Sequence, residues 1–282
     1  MHVNVVENNG EISLDEITEE FKKNKHNNKV AIILHSAEAL TKRKESDWEN
    51  QKVPWPYKEE SKSGKCKNRS MTEEFWNYRL PVAINRYDEL TRKGLDVTLI
   101  VSCGPSLERV IGENGSVKIQ YIQGPTVDEN GKFQQGDRPY DADIVAKRLN
   151  DMGFTGKVFK QLLSLDSVGE IFFPLTYILA NDIKWVEGVS SAYHIEGRLN
   201  VNYDKIFNNN YQILLHAVPT ENNDNIEFLK NNEKTLKTFL EQFKDVPKGN
   251  LERFIENFYE KHTLHKKNGK FKEGYPAIQL EF

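Results

Sequence analysis

An α/β fold built on a mostly parallel sheet is the architecture this sequence predicts, and three observations predict it. Val30–Leu34 and Val97–Ser102 are nearly continuous apolar runs of strand length, the pattern of strands covered on both faces. The stretch from Ser116 to Asn200 repeats one layout twice. A strand at Val117–Gly124 leads through a polar loop to the periodic segment Asp141–Met152, and a strand at Val158–Ser167 leads to the apolar face of Ile171–Ile183. Parallel neighbours need a crossover, and a helix is the usual one. Chemistry in such sheets gathers at the carboxyl ends of the strands.

At 282 residues, the chain is long enough for one large α/β domain with appendages. Its 38% hydrophobic and 29% charged residues are ordinary for a soluble protein. With 39 basic against 42 acidic residues the formal net charge is −3, so no whole-chain field favours nucleic acid or an anionic membrane. No apolar run approaches the roughly 18 residues of a membrane span, and the N-terminus has no cleavable-signal pattern. The two cysteines, Cys66 and Cys103, stand in a basic loop and at a strand end, which is no framework for disulfides or zinc.

In chain order, Glu11–Lys25 has helical spacing, and Val30–Leu34 ends at His35-Ser36. Residues 38–70 form a polar, lysine-rich insertion broken by Val53-Pro54-Trp55-Pro56-Tyr57. Its segment Lys58–Arg69 reads as a solvated loop or as a docking loop for an acidic partner. Ser70-Met71-Thr72-Glu73 is a capping box before an aromatic-rich helix, with Pro81 bending or dividing that helix and Gly94 ending it. Asn114-Gly115 is a tight turn. Lys184–Val189 reads as a strand, the alternating run Ser190–Tyr203 as a hairpin, and Tyr211–Val218 as a further apolar run. Residues 225–260 read as two helices divided at Pro247-Lys248-Gly249. The expected organisation is an α/β domain over 1–220, with its insertion at about 38–70, and a helical C-terminal cap over 221–282.

Over roughly residues 95–205 the order of these segments resembles the caspase-like cysteine peptidases, in particular the autoprocessing protease domains of large bacterial toxins. In that family one strand ends in Gly-His-Gly and a later one in Gly-Cys-Ser. The equivalent positions here read Ile122-Gln123-Gly124 and Leu165-Asp166-Ser167. Neither dyad residue is present: Gln123 does not titrate, and Asp166 is a poor nucleophile for a peptide carbonyl. Pro125 also removes a backbone donor where the family places an oxyanion-hole amide. The resemblance therefore implies a caspase-like sheet that has become a pseudo-peptidase, with Gln123 and Asp166 meeting at the rim of one cleft. Such a protein would act as a protein-binding module of bacterial-effector or toxin-associated type. The toxin domains are switched by inositol hexakisphosphate in a basic pocket, and Lys118 and Arg198 fall at matching places.

The alternative expectation is a cysteine-dependent hydrolase with a rebuilt site, in which Cys103 at one strand end is the nucleophile and His35 at another is its base. Asp141, Asp143 and Asp166 are oxygen ligands a hard cation would accept, yet Asp141 and Asp143 also stand where acids favour a helix N-terminus. His194, His216, His262 and His265 lack zinc-ligand spacing. No cofactor and no metal are expected.

Overall fold

The computed structural model describes residues 28–35, 75–103, 141–164, 167–219 and 226–261, with Glu19 and the short strands at 4–7, 42–44, 107–111, 117–121, 126–127, 133–134, 266–267 and 270–271. The protein is organised on one six-stranded sheet in which every pair is parallel. In chain order its strands are β1 (Asn4–Glu7), β2 (Lys29–His35), β3 (Asp96–Ser102), β4 (Lys157–Gln161), β5 (Trp185–Ser191) and β6 (Gln212–Val218). Their spatial order is β1-β6-β5-β2-β3-β4. The winding starts at the central β2, runs outward through β3 to β4, then returns to β5 on the other side of β2 and runs outward to β6. That reversal is the doubly wound arrangement, and folds of this kind place a crevice at the switch point, here between the ends of β2 and β5.

Helices cover both faces. On one side lie α1 (Leu80–Arg92) and α2 (Asp141–Asp151), packing Leu80, Ala83, Leu90, Val145 and Leu149 onto Val30, Ile32, Leu34, Leu99 and Val101. On the other lie α3 (Gly169–Phe172), α4 (Pro174–Ala180), α5 (Ala192–His194) and α6 (Asn200–Ile206), packed over Ala31, Ile33, Ile100, Val186 and Leu215. The same layer includes Phe243 from just beyond α7 (Ile226–Gln242) and Phe254 and Phe258 of α8 (Leu251–Lys261), with Phe258 stacked on Phe172 at a centroid distance of 3.9 Å. The α/β class, the parallel sheet and the two C-terminal helices expected from the sequence are all present.

Two elements differ from expectation. Residues 117–121 are a strand, but they pair antiparallel with 107–111 in a separate small sheet and lie outside the parallel one. The sequence carries the reason: Val117, Ile119 and Tyr121 alternate with Lys118 and Gln120, the pattern of a strand with one wet face, whereas the inner strands β2, β3 and β5 of the main sheet are buried on both. The run expected as a hairpin from Ser190 to Tyr203 is instead the end of β5 followed by continuous helix over 192–206. Ile195, Leu199 and Tyr203 recur four residues apart and all are buried, so a helical stripe wins over the local alternation around Gly197. Gly94 closes α1 with φ of 80°, as its position suggested. Pro81 lies at the start of α1 and separates it from a π-helical turn at Phe75–Arg79. The helix expected over 11–25 and, apart from 42–44, the insertion over 38–70 lie outside the described residues.

Glu187 sits in the middle of β5, fully buried among apolar neighbours. Arg86 of α1 donates to both of its oxygens, from Nη2 at 2.6 Å and Nε at 3.0 Å, and His216 Nε2 of β6 lies 2.7 Å from Oε2. Burial alone would push this carboxyl up; His216 and Arg86 outweigh it and hold the group at about 2 against an ordinary 4.5. A depressed carboxyl stabilises the fold above its unfolded value and loses that contribution as pH falls through its folded one. Stability measured by urea unfolding should therefore drop by about 3 kcal/mol between pH 5 and pH 2 on account of this group. Glu187→Gln should remove much of that pH dependence and cost about 1–3 kcal/mol at pH 7, because it takes one of two counter-charges from the part-buried Arg86, which keeps Glu89 at 2.7 Å.

Candidate functional site

The carboxyl ends of β2, β3, β4 and β5 converge on one edge of the sheet, and the side chains there are polar although they are buried. His35, Ser102, Gln161, Ser190 and Ser191 close these four strands, and each is at most 4% exposed. Ser167, Glu170 and His194 lie just beyond, on the segments that leave β4 and β5. A doubly wound sheet has no packing reason to place this many hydrogen-bonding groups at one edge, since the strand bodies are filled by Val, Ile and Leu.

His35 is the centre of the first network. Its Nδ1 lies 3.1 Å from Glu170 Oε2 and its Nε2 lies 2.9 Å from the Tyr203 hydroxyl. Toward a carboxylate Nδ1 donates, and Nε2 pairs with the Tyr203 hydroxyl, so both ring nitrogens are engaged. Burial, with Glu170 adding to it, raises the Tyr203 hydroxyl well above its ordinary value, so it remains a donor. Gly188 makes this contact possible: a Cβ on it would stand 2.7 Å from the Tyr203 oxygen and 2.8 Å from Leu215 Cδ2. Ser102 Oγ then donates to the Glu170 carbonyl at 2.8 Å, tying β3 to the start of α3.

The second network surrounds His194. Ser167 Oγ lies 2.7 Å from its Nε2 and Ser190 Oγ 2.9 Å from its Nδ1. Burial, reinforced by the charges of Arg198, Arg79 and His35, holds the His194 imidazole well below its ordinary value, so the ring is neutral near pH 7. The two arginines come from π-helical turns, Phe75–Arg79 before α1 and Ile195–Leu199 between α5 and α6. Such turns are single-turn irregularities often found at functional sites. Arg79 is fully buried; its Nη1 donates to the His35 carbonyl at 3.2 Å and its Nη2 to Ser191 Oγ. At the end of β4, Gln161 Nε2 and Ser164 Oγ have no hydrogen-bond partner among the described residues, although both residues are buried. Each such group costs about 1–3 kcal/mol.

The sequence-derived candidates are distributed differently. His35 belongs to this edge, but both its ring nitrogens are engaged by Glu170 and Tyr203. Cys103 is fully buried in the apolar layer beneath α1 and α2, whereas His35 meets Tyr203, which packs in the layer on the other face of the sheet. Arg198 is at the site, as one source of the field on His194. Lys118 lies on the separate antiparallel sheet, and its side chain is outside the described residues, as are those of Asp141 and Asp143. Gln123 and Asp166 also lie outside the described residues. Among the described residues no group of three His, Cys, Asp or Glu side chains is placed to hold a metal ion, and no helix is long and apolar enough to cross a membrane.

Glu170, Tyr203, Arg79 and the Ser167–His194–Ser190 cluster were not singled out from sequence. One signal was available. Reading the end of β5 as a strand terminus, like those of β2 and β3, leads directly to Ser190, Ser191 and His194. Compared with family models, curated proteins and solved structures, the chain matches none.

Tyr203→Phe removes the hydroxyl and leaves His35 Nε2 buried without a donor, which should cost about 1–3 kcal/mol in chemical unfolding. Gly188→Ala forces the same ring off its contact and should cost about 1–3 kcal/mol by overpacking. Because both act on one contact, the double variant should be less destabilised than the sum of the two; strict additivity would refute the coupling.

Proposed function

We propose that this chain is a binding protein for a small polar molecule bearing an anionic group, held in the crevice between the ends of β2 and β5. The observation that carries the proposal is the buried polar edge itself: His35, Ser191 and His194 stand at the switch point of a doubly wound sheet, where ligands of such folds bind. Two arginines, Arg79 and Arg198, act on the same imidazole there. Charge of that sign suits a phosphate or carboxylate. Gln161 Nε2 and Ser164 Oγ, without a hydrogen-bond partner among the described residues, support the reading, because a ligand can supply a missing partner to a buried polar group. The pseudo-peptidase reading, with a protein partner, rests on Gln123 and Asp166 instead, and the Cys103 hydrolase reading rests on a thiol facing the other layer.

Thermal unfolding with inorganic phosphate, a nucleoside triphosphate and inositol hexakisphosphate tests the proposal. At a hundredfold excess over its dissociation constant a ligand adds about 2.7 kcal/mol, or roughly 5–10 °C for a chain of this size. At least one probe should give such a rise, and Arg198→Ala should abolish most of it. No rise with any of the three, or an undiminished rise in Arg198→Ala, overturns the anionic-ligand assignment.

A further inference from the structure

The second network has more in it than binding requires. Ser167 lies in the connection between β4 and α3, two residues before Gly169, at the edge of the sheet where the strands end. Its Oγ is 2.7 Å from His194 Nε2, within the reach a general base needs. The other ring nitrogen is engaged by Ser190 at 2.9 Å. With Nδ1–H donated to Ser190 Oγ, the neutral ring is held in the tautomer whose Nε2 accepts the Ser167 proton. That is the order of nucleophile, base and orienting group of a serine–histidine triad, with a hydroxyl in the orienting place that an acid more often fills. Ser167 and His194 are 7% and 5% exposed, so the pair is buried but not sealed from solvent. Gln161 Nε2 and Ser164 Oγ, without partners among the described residues, are polar groups at the same edge that a bound carbonyl would satisfy.

From this geometry we infer that Ser167 is a nucleophile activated by His194 and oriented through Ser190, and that the site transfers the acyl group of a small carboxylic ester. The inference rests on the reading of this edge as the ligand site. In the first step Ser167 Oγ bonds to the ester carbonyl carbon and its proton passes to His194 Nε2. The bond from that carbon to the alcohol oxygen then breaks, and the alcohol leaves with the proton from His194. Water repeats the sequence against the Ser167 ester, releasing the acid and restoring the serine. The products are one acid and one alcohol, and no co-reactant other than water is consumed.

A dialkyl fluorophosphate tests the nucleophile directly, since Ser167 Oγ would bond to phosphorus as fluoride leaves and His194 takes the proton. Intact-mass measurement and peptide mapping on the wild-type chain should find one adduct, on Ser167; this readout requires no variant to fold. The labelling rate should fall by about 100-fold or more in His194→Gln, as expected on losing a general base. Ser190→Ala should label at a rate between the two, and Ser167→Ala should carry no adduct. Circular dichroism and melting accompany each variant, and only variants that melt like the wild type enter the comparison. A folded wild-type chain that takes no adduct, or an adduct mapped to another residue, overturns the inference. If phosphate still raises the melting temperature in that case, the edge binds without catalysing, so failure here is separable from failure of the ligand proposal.

Discussion

Strand β2 is paired along both edges and buried on both faces, and the rest of the molecule follows from having to satisfy it. Val30 through Leu34 are completely buried, so every neighbour must supply either an apolar surface or a backbone partner. Parallel partners β3 and β5 supply the hydrogen bonds, and two helical layers supply the surfaces. Because the chain leaves β2 for β3 on one side and returns to β5 on the other, the winding reverses between β2 and β5. The crevice between them is a geometric consequence of the winding.

Where β2 runs out of apolar residues the constraint becomes electrostatic. His35 is still fully buried, so each of its polar atoms needs a partner: Glu170 and Tyr203 meet the ring, and Arg79 meets the carbonyl. Those partners come from three separate helical segments, which ties both layers to one end of the sheet. The middle of β5 has a parallel arrangement in Glu187, Arg86 and His216, remote from the crevice. The two networks differ in what they leave over. Glu187 has both oxygens engaged by Arg86 and His216, which is the condition of a structural charge, whereas the edge around His194 couples two hydroxyls to a neutral imidazole. The first arrangement holds strands together; the second can exchange protons with a bound molecule.

The close approach of α6 to the sheet shows how sparse the tolerances are. Tyr203 reaches His35 across a position where any side chain beyond hydrogen would intrude, so Gly188 in the middle of a buried strand is the condition of the hydroxyl contact. Both arginines reach the site from π-helical turns rather than from regular helix, which shifts their side chains by part of a turn relative to the helices that follow.

Much of the architecture was determined by the sequence alone. Apolar runs five to seven residues long dictate strands buried on both faces, because no other local structure hides so dense a run in so few residues. The helical stripes of 226–242 and 251–261 and the glycine stop at Gly94 are equally local in origin. The strand at 117–121 was legible as a strand but not as a member of another sheet, since sheet membership depends on pairing partners that sequence spacing does not encode. The run after Ser191 was misread because a few alternating residues around Gly197 mimic a strand, while the stripe of Ile195, Leu199 and Tyr203 gains its meaning only from the surface it covers. For the site, sequence placed His35 at a strand end and Arg198 as a candidate cation. Only the tertiary structure decided that His35 meets Glu170 and Tyr203, 135 and 168 residues away along the chain, and that Ser167 meets His194. Such contacts are created by the order in which parallel strands are laid side by side, and that order is a property of the folded sheet rather than of any stretch of residues within it.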